Sequence, residues 1–223
     1  MSDFFPIWIK ICANTSLEDA QLAAEAGANA VGFVFAPSPR RVTASQVAAI
    51  TPQLPATLEK IGVFVDAGLE EIDATVRACR LTGVQVHSDG GPGLPAQLRA
   101  RFGTQIRILR AIHFGPGVAE QAQKLSANPD IDAILVDSRT ATAVGGTGQT
   151  FDWTQARATV FAAQSPFKLI AAGGLTPLNV AEAIATLQPW GVDVASGVEA
   201  SPGRKDPAKV RDFVTHARAA RSA

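Results

Sequence analysis

The 223-residue sequence has no surplus of charge of either sign, because 20 basic residues balance 20 acidic ones. It also lacks any apolar run near the ~18 to 20 residues that a membrane-spanning helix needs. The first residues show no basic region followed by a long apolar stretch, as a signal peptide would. We therefore expect a cytoplasmic protein that binds neither nucleic acid nor a membrane, and that would hold a small anionic ligand by local groups.

Cysteine is scarce as well, with only Cys12 and Cys79 present. Two thiols in a chain of this size usually stay reduced, so we expect no disulfide. A buried position in a helix is the expected place of Cys79. Cys12, by contrast, lies at the end of a predicted strand, and this position makes it a candidate for chemistry.

Eight short apolar runs alternate with longer amphipathic segments that are rich in alanine. The predicted strands are Ile7–Cys12, Ala30–Phe35, Glu59–Val65, Val84–His87, Gln105–Ile112, Ala133–Asp137, Lys168–Ala172 and Val192–Ser196. Several are apolar throughout, as is typical of parallel strands buried on both faces. Eight similar units in one chain favour a single (β/α)8 TIM barrel over residues 1–223, rather than a doubly wound open sheet. The turn after the first strand also lacks the glycine pattern of a dinucleotide-binding fold.

Two familiar chemistries of such barrels are disfavoured by what is missing. A Schiff-base aldolase needs a lysine at the C-terminal end of a strand, and only Lys10 lies late in one. Strand alternation places Lys10 opposite to Ile11 rather than clearly in the site. The sequence has three histidines, and His216 falls on the last predicted helix, so a metal centre is not expected. We expect no cofactor and no metal.

What remains at the strand ends is the thiol of Cys12 and the carboxyl of Asp137. A proton shift in a sugar needs one group to take a proton from carbon and another to give one to oxygen. A thiolate and a carboxyl with suitably shifted pKa values can do both. Cys12 could equally be a small buried residue, and Asp137 could equally cap the loop that follows it.

Glycine-rich turns follow the last two predicted strands. Gly173 and Gly174 come after the seventh strand, and Ser196 and Gly197 after the eighth. Free backbone N–H groups in adjacent loops of this kind are typical of a phosphate site in these barrels.

Motifs in order along nearly the whole chain then carry a resemblance. They are Lys10–Cys12, Gly32–Phe35, Ser38–Arg40, Gly62–Val65, Val84–His87, Leu135–Ser138, Gly145–Trp153, Ala172–Pro177, Gly191–Glu199 and Pro202–Asp206. Together they resemble the phosphoribosylanthranilate isomerases, a TIM-barrel family of tryptophan biosynthesis.

The resemblance implies an Amadori rearrangement of N-(5-phosphoribosyl)anthranilate to 1-(2-carboxyphenylamino)-1-deoxyribulose 5-phosphate. It implies that Asp137 is the general acid at the ring oxygen and that Cys12 is the general base at C2. It assigns Arg40 to the anthranilate carboxylate, with neighbouring Arg41 as the alternative because the preceding loop is one residue short. His87 and Asp193 match further substrate-binding positions. No cofactor or metal is implied, and barrels of this kind occur as monomers and as homodimers.

The sequence departs from the family pattern directly after the thiol, where Ala13-Asn14 replaces the usual Gly-Ile. Alanine adopts a positive φ less freely than glycine, so this turn is expected to differ. Two rival functions stay open. One is an isomerase of the related histidine-pathway aminoaldose, which would normally place an aspartate at position 12. The other is a catalytically silent barrel that binds a sugar phosphate.

Overall fold

The computed structural model describes residues 6–87, 93–138, 152–162 and 167–222. Its eight parallel strands close into a barrel in the order β1 to β8, which confirms the predicted fold class. The strands are β1 Trp8–Ile11, β2 Ala30–Val34, β3 Glu59–Phe64, β4 Gly83–Val86, β5 Arg107–His113, β6 Ala133–Asp137, β7 Leu169–Ala172 and β8 Gly191–Val194. The helices are α1 Leu17–Glu25, α2 Ala44–Ile50, α3 Leu69–Cys79, α4 Leu94–Phe102, α5 Val118–Ser126, α6 Trp153–Ala158, α7 Val180–Leu187 and α8 Pro207–Ser222.

The strands are apolar on both faces because each face packs against a different layer. Outward side chains such as Ile9 and Phe33 pack beneath the helices. Inward side chains such as Ile61, Leu109 and Leu135 fill the barrel itself. Since side chains alternate along a strand, Lys10 shares the inner face of β1 with Trp8 and Cys12. Within the described residues, no helix is long and apolar enough to cross a membrane.

The N-terminal end of the barrel is closed by aromatic and charged side chains. Trp8 stacks on Trp190 with ring centroids 5.2 Å apart. Glu59 accepts hydrogen bonds from Trp8 Nε1 at 3.2 Å and from Arg107 at 2.6 and 3.0 Å. Arg107 and Lys168 place their charges 5.4 and 5.1 Å from the Trp190 ring centroid. With this end filled, access to the interior comes from the opposite rim, where the strands end.

The Thr176-Pro177 pair predicts a helix start at about Leu178, and α7 begins at Val180. Asn179 Oδ1 accepts a hydrogen bond from the Thr176 N–H at 2.7 Å, and Thr176 O accepts one from the Val180 N–H at 3.1 Å, so the turn after Thr176 leads directly into the helix. At α1 the sequence predicts Ser16 as the N-cap, and this is confirmed because Ser16 Oγ accepts from the Asp19 N–H.

A small antiparallel hairpin follows β8 and was not predicted. It consists of β9 Glu199–Ser201 and β10 Arg204–Lys205. Thr15 Oγ1 donates a hydrogen bond to Gly203 O at 2.6 Å, so the hairpin is tied to the loop that follows Cys12. The glycines between the sixth strand and the sixth helix predict a long polar loop over residues 138–150. This loop and the motif segment 145–153 lie largely outside the described residues.

Candidate active site

Cys12 sits in a tight turn directly after β1. Its N–H donates to Val194 O at 2.8 Å, which continues the pairing of β1 with β8. Ala13 adopts a φ of +61°, in the left-handed region that alanine normally avoids. The buried Asn14 side chain donates to Ile11 O at 2.8 Å and Gly32 O at 3.2 Å. The turn was expected to differ from a glycine turn, but it keeps a positive φ because Asn14 fixes the backbone on both sides.

The thiol of Cys12 lies against Gly32 of β2. A Cβ atom at Gly32 would be 2.6 Å from Cys12 Sγ and 3.0 Å from Lys10 Cε. Both groups therefore pack on the same glycine from inside the barrel. Cys12 is buried, with 6% of its surface exposed, so its sulfur is shielded from bulk water.

Lys10 is fully buried at the centre of a polar network. Its Nζ donates to Asp193 Oδ1 at 2.7 Å and to Gln85 Oε1 at 2.8 Å. These partners come from β8 and from β4 across the barrel, so Lys10 points into the interior next to Cys12. The expectation that Lys10 lies away from the site is thus wrong. Strand alternation shows that Lys10 and Ile11 point to opposite faces, but the sequence alone does not show which face is the inner one.

The charges around Cys12 act in opposite directions on the thiol. Burial raises the pKa of the Cys12 thiol above its ordinary value, and Lys10 is the strongest influence that lowers it. Asp193 raises that pKa and Lys205 lowers it. For Lys10 itself, burial alone would lower the pKa, but Asp193 and Cys12 raise it above the ordinary value. Lys10 is therefore favoured as a cation beside Cys12, where it opposes the effect of burial on the thiol pKa.

Asp137 ends β6 and is almost fully buried. A Cβ at Gly173 would be 2.6 Å from Asp137 Oδ1 and 2.6 Å from the Ser138 backbone nitrogen. The carboxyl oxygen thus packs directly on the Gly173 backbone at the end of β7. Parity places the Asp137 side chain on the inner face with Ala133 and Leu135, and it ends its strand at the same rim as Cys12.

Arg40 is held over the β9–β10 hairpin by Glu199. Its Nε donates to Glu199 Oε1 at 2.8 Å and its Nη2 donates to Oε2 at 2.7 Å, a two-point pair. Lys205 lies 3.4 Å from the same carboxylate and also donates to Ala195 O at 3.1 Å. Burial raises the pKa of Glu199, but Arg40 and Lys205 outweigh this and hold it below its ordinary value. Arg41, the alternative to Arg40, is exposed.

The residues predicted to bind phosphate form two touching turns. Gly173 and Gly174 have φ values of +84° and +65°. Gly197 lies in the short turn Ser196–Val198, so close to Leu175 that a side chain at Gly197 would overlap Leu175 O. The loops after β7 and β8 are therefore in contact, as the sequence prediction requires, and glycine is needed at that contact.

His87 and Asp193, the other predicted site residues, are connected through Lys10. His87 Nε2 lies 2.8 Å from Gln85 Nε2, and Gln85 in turn contacts Lys10, which binds Asp193. The His87 and His113 rings are 6.2 Å apart. The polar side chain of Arg110 does not face the interior. Arg110 shares its face of β5 with the outward Ile108 and Ile112 and donates to Val86 O at 3.1 Å.

Sequence reasoning missed the residues that support the predicted ones. They are Gln85, Glu199 and Lys205, together with the misplaced Lys10. The one indication of Gln85 in the sequence is that it precedes His87 by two residues, so both lie on the same face of their strand. Among the described residues, no group of three or more His, Cys, Asp or Glu side chains could hold a metal ion.

Known proteins of one family match the chain along nearly its whole length. The family model for N-(5'-phosphoribosyl)anthranilate isomerase matches residues 9–216. Relatives of that name from Pelobacter propionicus and Geobacter sulfurreducens are each 42% identical, covering 97% and 94% of this chain and 98% of their own. Phosphoribosylanthranilate isomerase from Thermotoga maritima superposes with a TM-score of 0.83 at 34% identity, covering 96% of this chain and 99% of its own.

A second solved structure contains the enzyme in complex with reduced 1-(o-carboxyphenylamino)-1-deoxyribulose 5-phosphate. It superposes with a TM-score of 0.79 at 32% identity and covers 96% of this chain and 99% of its own. Since the family model spans most of the chain and relatives above the 40% level span nearly all of it, the chain belongs to the N-(5'-phosphoribosyl)anthranilate isomerase family.

Proposed function

We propose that this isomerase of tryptophan biosynthesis converts N-(5'-phosphoribosyl)anthranilate to its 1-deoxyribulose isomer with Asp137 as general acid and Cys12 as general base. The observation that carries the assignment is the position of Cys12: its thiol is buried and packs beside the Lys10 chain over Gly32. Burial raises the pKa of the Cys12 thiol, and the Lys10 cation opposes this and favours the thiolate, which is the form able to take a proton from carbon.

The two roles follow one another in the reaction. Asp137 gives its proton to the furanose ring oxygen, the C1–O bond breaks, and the nitrogen lone pair forms a protonated Schiff base with C1. The Cys12 thiolate then removes the proton from C2, and the C2–H electrons form the C1=C2 bond of an enolamine. Tautomerisation of the enolamine to the ketone completes the isomerisation. Each step moves one proton, and no oxidant or reductant is needed.

Arg40 is the residue that we propose for the anthranilate carboxylate. A guanidinium offers five N–H donors, and Glu199 binds it through Nε and Nη2. This ion pair fixes the plane of the guanidinium at the rim beside the loop that follows Cys12. Arg41 is exposed and has no comparable support. His87 and Asp193 stay predicted substrate-binding residues.

The glycine turns support a phosphate site at the ends of β7 and β8. We assign the phosphate of the substrate to the backbone N–H groups of Gly173, Gly174, Ser196 and Gly197. Positive φ at the first two and the contact of Gly197 with Leu175 fit a cradle made of backbone. A location in the cytoplasm, a single domain over residues 1–223 and a monomeric or homodimeric state remain predictions.

The assignment is tested by following the loss of substrate fluorescence with phosphoribosylanthranilate generated in situ. We expect wild-type protein to consume it at an enzymatic rate, Asp137→Asn to be inactive, and Cys12→Ser to be slower by orders of magnitude. Cys79→Ser is the matched control, because Cys79 is an equally buried thiol on α3 outside the barrel interior. Turnover near the wild-type rate in either purified site variant would overturn the assignment.

A further inference from the structure

Gln85 has a position that the proton transfers above do not explain. It lies on the inner face of β4 with 2% of its surface exposed. Its Oε1 accepts a hydrogen bond from Lys10 Nζ at 2.8 Å, and its Nε2 lies 2.8 Å from His87 Nε2. The amide thus joins a buried cation to an imidazole that reaches the rim.

The chemistry of the two neighbours determines the direction of these hydrogen bonds. A lysine ammonium can only donate, so the Gln85 carbonyl oxygen must face Lys10. The Gln85 amide nitrogen, which also only donates, is then the atom that faces His87. His87 Nε2 must accept, and an imidazole whose Nε2 accepts is neutral and carries its proton on Nδ1.

We infer that Gln85 is a positioning residue, which uses the charge of Lys10 to hold His87 as the neutral tautomer with the proton on Nδ1. Protonation of His87 would set its Nε2–H against the Gln85 NH2 group, with two donors facing each other. Gln85 cannot rotate to relieve this without turning its NH2 group toward the Lys10 ammonium. The inference rests on the proposed function only for the use that the enzyme makes of His87.

The use that we propose for a neutral His87 concerns the protonation of Asp137. A neutral His87 adds no positive charge near Asp137. A cation there would favour the ionised carboxylate and weaken Asp137 as an acid. His113 lies between them, since its ring is 6.2 Å from His87 and it pairs with Asp137 in the register of β5 and β6.

The charged groups on the strands around His87 leave the preference for the neutral tautomer in place. Lys10 of β1 and Asp193 of β8 are joined to His87 through Gln85. Arg110 of β5 donates to Val86 O from the outer face, and a cation there disfavours imidazolium. Asp66, which follows β3, is the acidic side chain on the neighbouring strand. It would favour a charged imidazole but would leave the two facing donors in place.

The direct test is nitrogen NMR of the wild-type protein labelled at histidine. At pH about 6, where a free imidazole is largely protonated, we expect one ring with an unprotonated Nε2 and a protonated Nδ1. The variant His87→Asn identifies that ring by its loss. If His87 in the wild-type protein is doubly protonated, or is protonated at Nε2, the inference is wrong.

The variant Gln85→Glu reverses the hydrogen bond. A carboxylate at position 85 still accepts from Lys10 but offers His87 only an acceptor, so His87 Nε2 should gain a proton. His216 on α8, which hydrogen-bonds to Pro177 O, is the internal control and its signals should not move. Unchanged His87 signals in a folded Gln85→Glu protein would contradict the inference.

Activity provides a separate readout. We expect Gln85→Glu to lower kcat/KM on the order of tenfold or more, the effect of one misplaced hydrogen bond. Absence of isomerase activity in the wild-type protein would contradict the proposed function but not the NMR result. The expected NMR signals with unchanged kcat/KM in Gln85→Glu would contradict the use proposed for His87.

Discussion

The sulfur of Cys12 and the Cε atom of Lys10 pack on the same face of Gly32, where a methyl group would come within 2.6 Å of one and 3.0 Å of the other. The proposed base and the cation that stabilises its charged form therefore come from two neighbouring inward positions at the end of β1. β2 makes room for both with a residue that has no side chain. This relationship leads to the first two predictions.

The acidic limb of the pH profile should depend on Lys10. Burial raises the pKa of the Cys12 thiol, and Lys10 is the main group that opposes this, so Lys10→Met should raise that pKa further. If the thiolate is the reactive form, kcat/KM falls as the pH drops below the thiol pKa, and Lys10→Met shifts this fall to higher pH. The pH profile of kcat/KM for both proteins measures the shift.

A matched control for Lys10→Met is Lys60→Met. Lys60 is also buried within a strand, but its ammonium donates to Pro55 O, and the outward parity of Lys60 keeps it from the barrel interior. Lys60→Met should therefore leave the acidic limb of the pH profile of kcat/KM at the same pH. An acidic limb that stays in place in Lys10→Met, with the thiol still required, would remove Lys10 from the chemistry.

Gly32→Ala should displace the thiol. The added methyl group would meet Cys12 Sγ at 2.6 Å and Cys12 Cα at 3.2 Å, and the latter is backbone that cannot rotate away. We expect kcat to fall by about tenfold or more, because a shift of ~1 Å at a reacting group can cost up to about a hundredfold. Gly68→Ala is the control, since a Cβ there meets nothing within 4 Å. Equal kcat in the two variants would show that the thiol position is not critical.

Arg40→Ala should act mainly on substrate affinity. Removal of the guanidinium deletes the proposed partner of the anthranilate carboxylate and leaves Glu199 with Lys205 and the Gly203 N–H. We expect KM to rise by roughly tenfold or more, as for the loss of a charged hydrogen bond, with a smaller change in kcat. Steady-state kinetics of Arg40→Ala and Arg41→Ala separate the candidates. A raised KM in Arg41→Ala alone would mean that the assignment of the loop is wrong.

Local patterns predicted the barrel and the positions of Cys12 and Asp137, because strand ends and helix caps are set by neighbouring residues. The contacts that support these two residues could not be predicted from the sequence. Lys10 finds its partners 75 and 183 residues away, and Arg40 finds Glu199 159 residues away. Such pairs depend on which strands face each other across the barrel and on which parity points inward.

The turn after the thiol should be strained, and Ala13→Gly should relieve it. Ala13 has a φ of +61°, which costs an alanine roughly 1 to 2 kcal/mol. Glycine removes that cost but loses about 0.4 to 1 kcal/mol through the greater entropy of the unfolded chain. We therefore expect the free energy of unfolding to rise by about 0 to 1.6 kcal/mol, measured by urea denaturation. Because Asn14 fixes the backbone through Ile11 and Gly32, the thiol should keep its place and kcat should change little. A clear loss of stability in Ala13→Gly would show that the turn is not strained in solution.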